Sequence, residues 1–268
     1  MWRSRLPDGG AGVTTERARD LAPLAVTRRP VVRLLATLAV VPPVRLAVAR
    51  YAVPSDCPDR TGCDACGAPI GLDRPLPALG PAARCPGCRA RVGAPPAVAE
   101  VALLVAVAVL MLAGGPLGVR LALAWWLACA VPMALVDAAA HRLPDRLTWP
   151  AAGGTGALLG VAALAGPGPA PWLRAVAAGL ALAAGFATTT LLLGRRGFGL
   201  GDAKLALGAG ALLGWHGWPV LVAGLVLAVT LAALAGLALL ALRRLRWSSH
   251  LPFGPFLILG TAATLVLV

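Results

Sequence analysis

Acidic residues are scarce in this chain, eleven Asp and Glu against 24 Lys and Arg in 268 residues, and charged residues of both signs make up only 13%. A soluble globular protein carries about 25%, so an ordinary soluble enzyme is excluded. Histidine is limited to His141, His216 and His250, and serine to Ser4, Ser55, Ser248 and Ser249. These are dispersed, so no Ser-His-Asp constellation is expected. Neither an HExxH zinc-protease motif nor a phosphate-binding GxxxxGK[ST] loop occurs. What remains is apolar. The hydrophobic share is 59% and the mean hydropathy +0.80, the composition of an all-α polytopic membrane protein with a small polar portion.

The net charge of +13 raises the question of nucleic-acid binding, and the placement of the charges argues against it. Beyond residue 91 the arginines stand in small groups between apolar stretches, as membrane-flanking charges do. We therefore expect membrane lipid, and no nucleic acid, around this chain. Residues 1–50 read as a basic N-terminal tail followed by a short apolar run, 34–41, a degraded first span that Pro42 and Pro43 should break. Residues 51–96 hold five of the six cysteines and form a polar module. Residues 97–268 form the transmembrane domain, with spans expected near 97–113, 118–136, 148–165, 172–193, 203–216, 218–242 and 252–268. The total is about seven, or eight if residues 31–50 cross. The loops with Arg142 and Arg146, with Arg195, Arg196 and Lys204, and with Arg243, Arg244 and Arg246 alternate with loops carrying only Arg120, Arg174 and His216. The positive-inside rule places the basic set, and with it the cysteine module, in the cytoplasm.

Cys63-x-x-Cys66 and Cys85-x-x-Cys88 are 18 residues apart, the pattern of two knuckles that bring four thiolates around one tetrahedral zinc. A pair of disulfides is the alternative, disfavoured in a reducing cytosol. Gly67 and Gly87 suit the tight turns. Four cysteines leave zinc no open position, so its role would be structural. Cys57 reads as a free thiol and Cys129 as a small packing residue.

Past residue 91 the acids are Glu100, Asp137, Asp145 and Asp202 alone. A carboxylate at membrane depth is costly and needs a reason. Asp137 ends a span, where its charge opposes the helix dipole; the plain reading pairs it with His141 or Arg142. Asp202 closes Gly199-Leu200-Gly201-Asp202 and opens the fifth span, where the plain reading is a helix N-cap. The two glycines add positive φ and close approach of another chain to what a cap requires, and Lys204 could hold a negative group. In the expected topology Asp137 and Asp202 lie at the same cytoplasmic depth. Two carboxyls brought together share a proton, the arrangement by which one accepts a proton from water while the other donates to a scissile carbonyl.

These segments together resemble the type IV prepilin peptidases, membrane aspartic proteases of the GxGD kind. The resemblance covers residues 57–268: the paired CxxC motifs, Pro96 and Glu100, Asp137 with Leu143-Pro144-Asp145, Gly199-Leu200-Gly201-Asp202-Ala203-Lys204-Leu205, and Pro252-Phe253-Gly254-Pro255-Phe256. It implies Asp137 and Asp202 as the catalytic pair and Asp145, Gly199, Gly201 and Lys204 as support. It also implies Cys63, Cys66, Cys85 and Cys88 as ligands of structural zinc. The implied reaction is cleavage of the basic leader of prepilin or pseudopilin precursors at the cytoplasmic face of the bacterial inner membrane. A second implied activity is methylation of the new N-terminus with S-adenosylmethionine. A proton-coupled transporter would instead want carboxylates at mid-bilayer and internal repeats; a zinc-binding scaffold would leave the GxGD segment without a use. Residues 31–56 lack the family's first span, and six arginines lie in residues 1–30 ahead of the 34–41 run, so seven spans with a cytoplasmic N-terminus are expected.

Overall fold

Long apolar stretches punctuated by Pro and Gly fold as helices, and the computed structural model of the chain describes eight of them across residues 39–54, 57–73, 78–194, 199–244 and 251–268. The basic tail, the start of the 34–41 run, Arg195, Arg196 and Arg246 lie outside the described residues. The first helix, α1, is helical over residues 39–51. It is followed by α2 (Val98–Leu112), α3 (Leu117–Ala140), α4 (Asp145–Leu164), α5 (Pro169–Leu193), α6 (Leu200–His216), α7 (Trp218–Ala241) and α8 (Gly254–Leu267). The boundaries follow local chemistry. Pro116 and Pro144 precede α3 and α4, and Pro169 opens α5 where its missing N–H costs nothing. Gly217, at φ 139°, separates α6 from α7 in a conformation closed to other residues.

Among the described residues four helices, α3, α4, α5 and α7, are long and apolar enough to cross a membrane. The other three expected spans are shorter: α2 has 15 residues, α6 has 17 and α8 has 14, about 20–25 Å each at 1.5 Å per residue against a hydrocarbon core of about 30 Å. For α6 the reason is packing. It lies among α4, α5, α7 and α8, and most of its side chains are buried by protein rather than lipid. Close approach to α5 depends on small residues. A Cβ on Gly210 would stand 2.8 Å from the Gly179 Cα, and one on Gly179 would stand 2.6 Å from the Leu207 carbonyl oxygen. α7, by contrast, exposes Val222, Val226, Val229, Leu234 and Leu237 along its length.

The expected break at Pro42–Pro43 is not observed; the helix runs through both. Packing of the helix on its neighbours offsets the backbone hydrogen bonds lost at the two prolines. Val41, Val44 and Val48, spaced for one helical face, pack against α2 and α3. Leu46 and Ala49 pack against Ile70, Leu79, Val92 and the cysteines. Arg45 does not snorkel to water. It is 2% exposed, its Nε and Nη2 donate to Glu100 at 2.9 and 2.6 Å, Nη2 also reaches the Pro81 carbonyl, and Nη1 reaches that of Ala94. One side chain thus ties α1, α2 and the cysteine module together.

Candidate active site and tetracysteine cluster

Asp137 lies in the last turn of α3, which ends when His141 turns left-handed (φ 50°) and donates its N–H to the Asp137 carbonyl. The Asp137 side chain is 5% exposed and is held across the bundle. The backbone N–H of Gly254, the first residue of α8, donates to Oδ2 at 3.1 Å. Glycine is required there, because a Cβ at 254 would lie 2.6 Å from that oxygen. Arg142, one partner suggested by the sequence, turns away to Asp59 of the cysteine module at 3.4 Å.

Asp202 is not the N-cap of α6. Gly199 is, and Asp202 sits three residues on, its Oδ2 accepting the Gly199 N–H at 3.1 Å. This is the reciprocal half of a capping box. The residue is 8% exposed and lies within Coulombic reach of the Asp137 carboxylate. Positive φ, expected of the motif's glycines, is not what they supply: Gly199 has φ −71°. Gly201 serves close approach, since a Cβ there would meet the Leu143 Cβ at 2.9 Å, which lets the start of α6 sit against the α3–α4 connection. Lys204 does hold a negative group. It forms an ion pair with Asp145, the first residue of α4, and lies 5.9 Å from the centre of the Trp149 ring. The structure thus gathers Asp137, Asp145, Gly199, Gly201, Asp202 and Lys204 at one end of the bundle. Two carboxyls are buried there, and each has one oxygen fixed by a glycine N–H at a helix start.

The cysteine module forms two matched knuckles. Cys63 and Cys85 each donate their N–H to the residue five positions on, and each accepts an N–H from the fourth. That fourth residue is left-handed in both, Gly67 at φ 72° and Arg89 at φ 59°. Gly87, expected to serve the second turn, instead leaves room for sulfur: a Cβ there would lie 3.3 Å from the Cys66 Sγ. The Sγ atoms of Cys63 and Cys88 are 3.6 Å apart, those of Cys66 and Cys85 are 3.5 Å apart, and all four lie within 4.8 Å of one another. Sulfurs at the corners of a tetrahedron with Zn–S bonds of about 2.3 Å are separated by about 3.8 Å, so the set fits one zinc ion. The Cys88 N–H, ahead of smaller contributions, lowers the Cys85 thiol to about 6. At Cys88 the lowering by the Ala90 N–H is overcome by the three neighbouring sulfurs and by burial, which push it up to about 12. A cation is what lets all four be thiolates together. Cys57 and Cys129 lie outside this cluster.

Residues 121–241, the stretch from α3 to the end of α7 that includes both aspartates, match the Type IV leader peptidase family. A prepilin leader peptidase/N-methyltransferase from Burkholderia pseudomallei is 35% identical over 220 residues, covering 78% of this chain and 67% of that protein. The chain belongs to the type IV leader peptidase family. Proteins of the same name from Aeromonas salmonicida (34% identical, 74% of this chain and 68% of that protein) and Pseudomonas putida (33% identical, 75% and 69%) are also similar to it. No solved structure matches it. As a type IV leader peptidase the protein is a protease, and its apolar helices and tetracysteine cluster accord with a membrane enzyme.

Two features of this leader peptidase escaped the sequence. Gly254 belonged to a quoted motif but carried no role, since nothing in Pro252-Phe253-Gly254-Pro255 says that its N–H faces a carboxyl 117 residues away. The Arg45–Glu100 pair was likewise hidden, by a separation of 55 residues. Its only signal was that both residues were charges in unsuitable places.

Proposed function

We propose that the protein is an aspartic endopeptidase that removes the short basic leader of prepilin or pseudopilin precursors, with Asp137 and Asp202 as its catalytic pair. The observation that carries this reading is the matched fixing of the two carboxyls by the N–H groups of Gly254 and Gly199. An N–H on Oδ2 sets the direction of the other oxygen, which is what a shared-proton pair needs before substrate arrives. The ionised member takes a proton from water as the water oxygen attacks the scissile carbonyl carbon. The protonated member gives its proton to the carbonyl oxygen. Collapse of the tetrahedral intermediate returns a hydroxyl proton to the second carboxyl and breaks the C–N bond, and the leaving amine takes the proton held by the first carboxyl.

The site faces the cytoplasm in this reading, and the protein lies in the bacterial inner membrane with a cytoplasmic N-terminus. The side chains of the opposite end support it. Arg120 donates to the Leu110 carbonyl near the end of α2, and Arg174 donates to the carbonyls of Gly214 and Trp215 at the end of α6. Both therefore serve as helix C-terminal caps, leaving the basic clusters of the other loops to set orientation. Zinc held by Cys63, Cys66, Cys85 and Cys88 would staple the module and supply no reactive position.

The hollow beside the cysteines is not suited to hold S-adenosylmethionine. The polar hollow beside the cysteines, about 480 Å³ and lined by Asp59, Arg60, Thr61 and Asp64, already has both carboxylates paired, with Arg142 and Arg60. No step through that cofactor is drawn. The deciding experiment incubates membranes containing the protein with a precursor bearing a basic leader and reads the product by mass spectrometry. Loss of the leader mass supports the reading, and an intact precursor contradicts it.

A further inference from the structure

The second cysteine knuckle is basic and the first is not. Residues 74–99 contain no acid, and Arg84, Arg89 and Arg91 on that knuckle are all exposed. The three are held together. Arg84 and Arg91 oppose each other as an antiparallel bridge pair, so their side chains leave the same face, and the Arg84 Nη1 donates to the Arg89 carbonyl at 3.1 Å. None of them forms an ion pair among the described residues. Two of these placements are unfavourable in themselves. Like charges directly opposite on paired strands repel. Arg89 takes a left-handed φ of 59°, where the matched position of the first knuckle is Gly67. No acid among the described residues offsets either cost.

This face lies at the edge of the membrane domain. Two residues beyond Arg91, a Cβ on Gly93 would stand 3.1 Å from the Ala49 Cα of α1. Ala94 packs with Val48 and Val136, and Val136 adjoins Asp137 near the end of α3, a helix long and apolar enough to cross a membrane. The knuckle therefore stands beside the end of a span, where lipid headgroups begin. We propose that Arg84, Arg89 and Arg91 form a docking face for the headgroups of anionic phospholipid, whichever bond the enzyme cuts. A planar guanidinium meets a phosphodiester with two parallel hydrogen bonds, and an anionic surface relieves the repulsion between Arg84 and Arg91. The same charge excludes the basic leader of a precursor from this face. An acidic protein segment has the complementary charge too, but the depth of the face beside α3 selects lipid.

The test follows amide hydrogen exchange in residues 84–92 of the full chain, placed in bilayers of phosphatidylcholine alone or with phosphatidylglycerol added. Each arginine near an anionic surface strengthens the contact about fivefold, so exchange is expected to slow by more than about tenfold in the anionic bilayer. High salt should remove the difference, and residues 61–70 of the first knuckle should exchange alike in both bilayers. Arg84→Gln combined with Arg91→Gln should abolish the slowing. Arg89→Gly gives the second knuckle the residue that the first one uses, so it keeps the fold and should reduce the slowing about fivefold. If the double variant loses protection in the first knuckle as well, Arg89→Gly carries the test alone. Equal exchange in the two bilayers, or slowing that survives undiminished in the variants, would overturn the proposal. Inorganic phosphate and poly-glutamate, added separately to the neutral bilayer, complete the experiment. Protection by phosphate equal to that by the lipid would make the face a site for free anions, and stronger protection by poly-glutamate would assign it to an acidic protein; either result overturns the lipid assignment.

Discussion

Replacing Gly254 with alanine tests whether the backbone at the start of α8 orients Asp137. The added Cβ would lie 2.6 Å from Asp137 Oδ2 and 3.3 Å from its Cγ, well inside van der Waals contact, so carboxyl and helix start must move apart. The 3.1 Å hydrogen bond from the Gly254 N–H is the interaction lost. A hydrogen bond to a charged group contributes about 1.5–3 kcal/mol, which corresponds to roughly a 10- to 150-fold fall in rate if that orientation is needed in the transition state. The two glycines of the GxGD segment provide a graded comparison. Gly201→Ala meets the Leu143 Cβ at 2.9 Å, whereas Gly199→Ala meets its nearest atom, Asp202 Oδ2, at 3.5 Å, an ordinary contact at a φ any residue adopts. The expected order of damage is Gly254, then Gly201, then Gly199, whose variant should retain most activity. The assay is steady-state cleavage of a leader-bearing precursor by membranes matched for protein level. A Gly254→Ala enzyme that cleaves at the normal rate would refute the orienting role, and a Gly199→Ala enzyme as impaired as Gly254→Ala would refute the steric argument.

Purified under reducing conditions, the protein should contain about one zinc per chain, and Cys63→Ser combined with Cys66→Ser should remove it and expose the module to limited proteolysis. Because the ligands must be thiolates, zinc should be released as pH falls, and a chelator competition run at two pH values reads this directly. Glu100→Ala leaves Arg45 buried without its partner, a change that costs about 3–5 kcal/mol where such pairs are broken; the level of protein in the membrane should fall sharply and recover in part when Arg45→Leu is added. Asp145→Asn removes an ion pair whose carboxylate side is largely exposed, an interaction of about 1 kcal/mol or less, so cleavage should persist near the normal rate in the same assay.

What could be read from the sequence was whatever is local or periodic. The apolar runs gave the helices of the membrane domain, and the CxxC spacings gave the cysteine cluster with its correct four members. The glycine–aspartate motif pointed to Asp202, and the isolation of Asp137 among apolar residues pointed to that position. The sequence was silent where a role depends on an approach from elsewhere in the chain. The shortness of α6 has no local explanation, because nothing in its own sequence says that its surroundings are protein. Nothing local announces the role of Arg45, because its partner Glu100 lies 55 residues on. Gly87 was assigned the turn that Arg89 makes, since composition favours glycine where the backbone here uses arginine. The plain reading of Asp202 put it at the cap, because cap and third position differ by a single turn. Only the geometry at Gly199 separates them.

The central claim is that Asp137 and Asp202 act as one pair on the scissile bond, and asparagine at each position tests it most directly. Asn keeps the shape of the side chain but can neither accept the proton from water nor share one with its partner. Precursor cleavage by Asp137→Asn and by Asp202→Asn, each measured beside the unmodified protein at equal membrane level, should be abolished in both cases. Normal cleavage by Asp202→Asn, with the variant present in the membrane, would reduce that residue to a helix-capping side chain and contradict the account.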